Sequence, residues 1–164
     1  MDMKLKTKLL SITAMTLLTV MSTWSCKDKT MEQDTLKNFG KKYAEAWCSQ
    51  QPDSVAAWFA ANGSLSVNNG APAVGRDAIA KVALGFMAAF PDMIVSMDSL
   101  ITKSNGTEFH WTLTGTNTGP GGTGNKVRIS GFELWQFDKD GLIFESRGQF
   151  DADEYNRQLK NGIK

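Results

Sequence analysis

Between Met31 and Ser49 the apolar residues Leu36, Phe39, Tyr43, Ala46 and Trp47 recur at three- and four-residue spacings, which gathers them into one stripe on a helix. Pro52-Asp53-Ser54 opens a second, short helix over Val55–Ala61, and Asn62-Gly63 ends it. Leu65–Val67 reads as a brief extended piece, with Asn68-Asn69-Gly70 as a turn after it. Gly75-Arg76-Asp77 precedes a third helix carrying Ile79, Val82, Ala83, Phe86 and Phe90 on one face. Pro91 stops that helix, because its ring clashes with the preceding turn and it has no N–H to give.

After Pro91 the apolar period falls from 3.6 to 2. Met93–Ile101, Phe109–Thr114 and Val127–Phe137 alternate as strands. Asp138-Lys139-Asp140-Gly141 is a hairpin turn with glycine at its tight position, and Leu142–Phe150 returns as the last long strand. Asp151 then caps a short C-terminal helix with Tyr155 and Leu159 four residues apart. Helices followed by a meander of strands predict an α+β fold, an antiparallel sheet with helices packed on one face.

One segment invites a different reading. Gly119-Pro120-Gly121-Gly122-Thr123-Gly124 spells the G-x-G-x-x-G of a dinucleotide-binding loop. Such a loop leaves a strand and opens a helix, whose N-terminal amides hold the pyrophosphate. Here a strand ending near Thr118 precedes it and a strand starting at Lys126 follows, so the segment reads as a flexible connection between strands. Gly124-Asn125-Lys126 also lacks the Gly-Lys-Ser/Thr order of a P-loop.

The first 25 residues stand apart from the fold. Lys4, Lys6 and Lys8 form a basic flank, and Leu9–Trp24 runs sixteen residues without a charge. That is short for a membrane span and suits the apolar core of a signal peptide; an N-terminal anchor helix is the competing reading. Ser25-Cys26 closes the stretch and resembles a bacterial lipoprotein signal, in which a small residue precedes a cysteine that is acylated and becomes the new N-terminus. Trp24 is bulkier than most such signals carry beside the cleavage point. The division that follows is a signal peptide over 1–25, a tether over 26–30 and one domain over 31–160. The expected location is the cell envelope, with a lipid on Cys26 as the only membrane attachment, or the soluble periplasmic or secreted space without it.

Cleavage before Cys26 leaves 15 basic against 16 acidic residues, since Lys4, Lys6, Lys8 and Asp2 are removed. A balanced charge argues against a nucleic-acid partner, which calls for a basic stripe or excess. With Cys26 set aside Cys48 is alone, so there is no disulfide framework, and it reads as a small residue packed on a helix. His110 is the only histidine and sits on the more polar side of its strand, so no metal site is expected. No G-x-S-x-G or H-E-x-x-H occurs.

Glu133 is the candidate for chemistry. Alternation puts it on one strand face with Val127, Ile129, Trp135 and Phe137. A carboxyl among such neighbours is held toward its neutral form, which suits a general acid or base near neutral pH. The competing reading is a glutamate on the solvated side of the sheet, or one paired with Arg128 or Arg147. Tyr43, Trp47, Trp58, Phe90, Trp111 and Trp135 are many large aromatics for a domain of this size. They serve the core by default; helices lying over a curved sheet would leave some of them lining a cone fit for a small apolar ligand.

The order of elements resembles the NTF2-like fold, three helices on a strongly curved antiparallel sheet, and most closely its SnoaL-like, polyketide-cyclase-like branch. The resemblance is carried by Tyr43-Ala44-Glu45-Ala46-Trp47, Gly75-Arg76 with Ala78-Ile79, Phe90-Pro91-Asp92-Met93 and Leu113 through Gly119. Val127 through Glu133, Asp140 through Glu145, and Phe150-Asp151 with Gln158-Leu159 complete it. In SnoaL-like cyclases an acid/base aspartate occupies the strand after the glycine-rich loop, and Glu133 falls at that position. Asn117 stands where the family often has histidine, and the tryptophan often found near Arg147 is missing. The resemblance implies a pocket lined by Tyr43, Trp47, Trp58, Phe90, Trp111, Asn117 and Trp135, cofactor-free acid/base chemistry through Glu133, a small hydrophobic ligand and a homodimer. Two other readings use the same domain: a ligand-binding lipoprotein without turnover, and a dimeric interaction domain.

Overall fold

The computed structural model describes residues 32–164, so the expected signal peptide over 1–25 and the whole tether over 26–30, Cys26 included, lie outside the described residues. Helix α1 spans Gln33–Cys48, α2 Pro52–Ala56, α3 Arg76–Ala89 and α4 Ala152–Asn161. Strands run over Phe59–Val67 (β1), Ala73–Val74 (β2), Ile94–Lys103 (β3), Gly106–Thr116 (β4), Lys126–Phe137 (β5) and Ile143–Phe150 (β6). They form one six-stranded sheet in the order β2-β1-β6-β5-β4-β3. The α+β class stands, with one correction: the sheet is mixed, because β1 lies parallel to β6 while the remaining neighbours are antiparallel.

Leu36, Phe39, Tyr43, Ala46 and Trp47, the α1 stripe, are all buried. Gly40 lets α1 come close to β3, since a Cβ there would meet Met97 Sδ at 2.7 Å and Leu100 Cδ1 at 3.1 Å. On α3, Ile79 and Ala83 are buried with Met87, while Val82 and Phe86 are half-buried. The two faces of β4 differ in chemistry. Phe109 and Leu113 point to the core, whereas Glu108, His110 and Thr112 point away and bond among surface groups.

The second helix is shorter than its pattern predicts. It ends at Ala56, and Phe59 already pairs with Ile143 of β6. β1 is correspondingly longer than the expected Leu65–Val67, with a register shift between Phe59 and Ser64. Pairing to a strand some eighty residues away decided both boundaries. The C-terminal cap is where it was expected, with the Asp151 carboxylate accepting from Glu154 N at 2.9 Å.

The glycine-rich segment connects β4 to β5. Asn117 knits it in place: Oδ1 accepts from Thr123 N at 2.9 Å and Nδ2 donates to the Ala89 carbonyl at 3.1 Å. Gly119 passes so near α3 that a Cβ would overlap the Ala88 carbonyl oxygen. Close packing accounts for that glycine without any phosphate.

Candidate functional site

Alternation along β5 turns Glu133 into the space between sheet and helices, where only 6% of it is exposed. Its Oε2 accepts three hydrogen bonds: from Ser146 Oγ at 2.6 Å, from Trp135 Nε1 at 3.0 Å and from Tyr43 Oη at 3.0 Å. Each donor arrives on a different piece of structure. Trp135 is two residues on along the same strand face, Ser146 lies opposite Trp135 on β6, and Tyr43 descends from α1. The other oxygen, Oε1, accepts no hydrogen bond from a described residue. Three donors on Oε2 leave Oε1 as the atom open to bind or release a proton.

Burial raises the Glu133 carboxyl above its ordinary value, and the bonds from Ser146, Trp135 and Tyr43 pull back against that rise. Burial likewise drives the Tyr43 hydroxyl well up, with the neighbouring Glu133 charge adding to it, so Tyr43 stays a neutral donor. Neither Arg128 nor Arg147 pairs with Glu133; both are exposed. The aromatic setting is tight. Phe109 and Trp135 stack at 4.6 Å and 13°, and Tyr43 stands edge-on to both, at 5.5 and 5.1 Å.

In front of Glu133 lies an apolar cleft with a cavity volume of about 50 Å³, open on one side to solvent. Its walls include Trp47 and Phe86 from the helices, Leu65 and Val67 from β1, and Trp111 and Leu113 from β4. Gly148 faces Glu133 across β6 and leaves room in front of it, a Cβ there reaching only 3.6 Å from Glu133 Cγ.

Of the residues singled out in the sequence, Glu133, Trp47 and Trp111 meet at this cleft. Tyr43 and Trp135 lie behind the carboxyl, fully buried, and hold it. Trp58, Phe90 and Asn117 are elsewhere. Trp58 packs on Phe39 at 4.7 Å, and Phe90 is buried under Gly115 and near the Tyr155 ring. Asn117 is consumed by the loop it holds. Ser146 was missed, although its place on the inner face of β6, two residues before a glycine, was readable from alternation. Among the described residues no cluster of three or more His, Cys, Asp or Glu side chains gathers to hold a metal, and no helix is long and apolar enough to cross a membrane.

The family model for SnoaL-like polyketide cyclase matches residues 38–159. The chain belongs to the SnoaL-like polyketide cyclase family. No curated protein matches this SnoaL-like chain in sequence. In structure it is similar to a hypothetical protein with a ketosteroid isomerase-like fold from Catenulispora acidiphila, crystallised with trimethylamine, at 16% identity and a TM-score of 0.66, covering 74% of this chain and 92% of that one. It is also similar to the phenazine biosynthesis-related protein PhzB2 from Pseudomonas aeruginosa, at 16% identity and a TM-score of 0.61, covering 85% and 92%. A third likeness is to SalBIII, an epoxide hydrolase/cyclase-like enzyme in pyran ring formation in salinomycin, at 14% identity and a TM-score of 0.63, covering 75% and 95%. These likenesses establish the NTF2-like fold, curved sheet and overlying helices included.

Proposed function

We propose that this SnoaL-like domain takes a small, largely apolar molecule into the cleft and moves a proton on it with Glu133, without a cofactor. One observation carries the reading: a single carboxyl, raised by burial and paired with no cation among the described residues, presents a free oxygen beside an apolar cleft. Hydrogen bonds from Ser146, Trp135 and Tyr43 fix Oε2, so the proton is exchanged at Oε1 in one orientation. Near neutral pH such a group works as a base toward an acidified C–H and returns the proton as an acid. That chemistry suits ring closure or isomerisation of a carbonyl compound; ring closure is also what the family's cyclase name and SalBIII's part in pyran ring formation refer to.

The test begins with native mass spectrometry of the protein drawn from its host's envelope extract, to find the molecule it carries. That molecule is then given to wild type and to Glu133→Gln. Turnover by wild type with a loss of at least a hundredfold in the variant supports acid/base catalysis, a group of this kind contributing ~10²–10⁴-fold. Equal rates remove Glu133 from the chemistry, and binding without turnover by wild type leaves a carrier.

Export and lipidation are inferred from residues 4–26 alone, and acylation of Cys26 is tested by detergent phase partition: Cys26→Ser should move the protein to the aqueous phase. A homodimer through the outer sheet face is inferred from the family likeness together with Ile94 and Ile101, which are 56% and 44% exposed there. A monomer in sedimentation at micromolar concentration would count against it.

A further inference from the structure

How a molecule comes to Glu133 is a question that rests on the ligand-binding reading above. A cavity of about 50 Å³ is too small for that reading as it stands. A benzene-sized molecule needs about 150 Å³, and pockets for larger ligands run to about 300–1,000 Å³. Some part of the wall must therefore move.

Most of the wall is held. Its strand residues sit on β1, β3, β4, β5 and β6, each bonded to its neighbours in the sheet. Helix α1, which brings Trp47, is tied at three points. Gly40 lies against Met97 and Leu100, and Tyr43 Oη donates to Glu133. Cys48 Sγ accepts from Val95 N at 3.1 Å and donates to the Val95 carbonyl at 3.4 Å. Helix α3 is fixed at its two ends instead. Arg76 Nε donates to the Phe59 carbonyl at 2.8 Å, and the Ala89 carbonyl accepts from Asn117 Nδ2 and Gly119 N. Between these ends the half-buried Phe86 reaches across to Trp47, edge-on at 6.1 Å.

The residue before Phe86 is unusual for its place. Gly85 lies inside α3 with ordinary helical backbone, and a Cβ there would meet nothing within 4 Å. Neither a special φ nor close packing calls for glycine, whereas Gly40 on α1 is explained by what it packs against. Glycine within a helix is less stable than alanine and leaves its turn freer. That looseness falls beside the ring that closes the cleft, and Gly85 adds no side chain in the way of its outward turn.

We infer that Phe86 is the gate of the cleft and sets the size of molecule that reaches Glu133, with Gly85 giving α3 the local freedom to let the ring turn out.

Xenon and naphthalene are the probes, the first a single atom suited to the resting cavity and the second too large for it. Affinities and naphthalene entry rates are measured by NMR on wild type, Phe86→Leu and Gly85→Ala. Naphthalene should enter Phe86→Leu about tenfold faster than wild type and Gly85→Ala several-fold more slowly, with xenon affinity unchanged to within about twofold. A merely structural role would alter stability and leave the entry rates alone. In wild type, relaxation dispersion at the Gly85 and Phe86 amides should show exchange on the μs–ms scale that naphthalene alters, a readout that stands even where a variant fails to fold. Naphthalene refused by wild type but taken up by Phe86→Leu also supports the gate. Equal entry rates in the three proteins, no exchange at those amides while naphthalene binds, or refusal of naphthalene by wild type and Phe86→Leu alike while xenon binds would each overturn the gate and leave the cleft reading intact. Failure of both probes to bind any of the three overturns the cleft reading with it.

Discussion

Glu133 meets no cation among the described residues, yet it is buried; three neutral donors on Oε2 stand in for water. Because the folded protein holds this carboxyl above its ordinary value of 4.5, the folded state retains a proton that the unfolded chain gives up. The sign follows: the stability linked to this group is full below pH 4.5 and is lost as pH rises through the raised folded value. Thermal unfolding followed from pH 4.5 upward should therefore show a fall that Glu133→Gln flattens. Ser146→Ala removes the shortest of the three donors, and it should push the Glu133 titration further up and carry any activity profile to the alkaline side. The candidacy of Glu133 was legible from two-residue alternation on β5, but its solvation was not. Tyr43, ninety residues earlier, reads in sequence as one more apolar helix position, and nothing local says that its hydroxyl ends on this carboxyl.

The loop between β4 and β5 shows what an element-scale reading gains from context. Its glycines match a phosphate motif by spelling, while flanking strands and packing on α3 give them another task. Gly119→Ala should be the damaging change, because its Cβ overlaps the Ala88 carbonyl; a loss of about 2–3 kcal/mol is expected in denaturant unfolding. Gly121→Ala meets nothing within 4 Å and carries only the cost of its φ of +74°, about 1–2 kcal/mol. A phosphate-binding loop would add a response to nucleotide, and none is expected here. Helices α1 and α3 and strands β3 to β6 followed from periodicity, since each buries one regular face. The start of β1 and the end of α2 did not. Phe59 is fully buried by pairing with β6, a contact between distant parts of the chain that no local window contains. For the same reason the parallel β1–β6 pairing escaped a reading based on consecutive strands.

At the scale of the whole molecule, the sheet and the helices α1 and α3 close around one apolar space in which Glu133 is the one ionisable side chain among the described residues. A ligand that fills it should stabilise the fold by mass action, about 2.7 kcal/mol at a hundred times its dissociation constant, and thermal unfolding in the presence of the molecule recovered from the envelope extract checks this. The cone itself was visible in the sequence only through a family resemblance, because curvature is a property of paired strands and not of any one of them. The most direct test of the account needs no substrate. The ¹³Cδ resonance of Glu133 is to be followed by NMR as a function of pH in wild type and in Ser146→Ala. A midpoint above 4.5 in wild type, moving higher in the variant, is the predicted result. A midpoint at or below 4.5 would show an ordinary, stably ionised glutamate, and the acid/base role would fall with it.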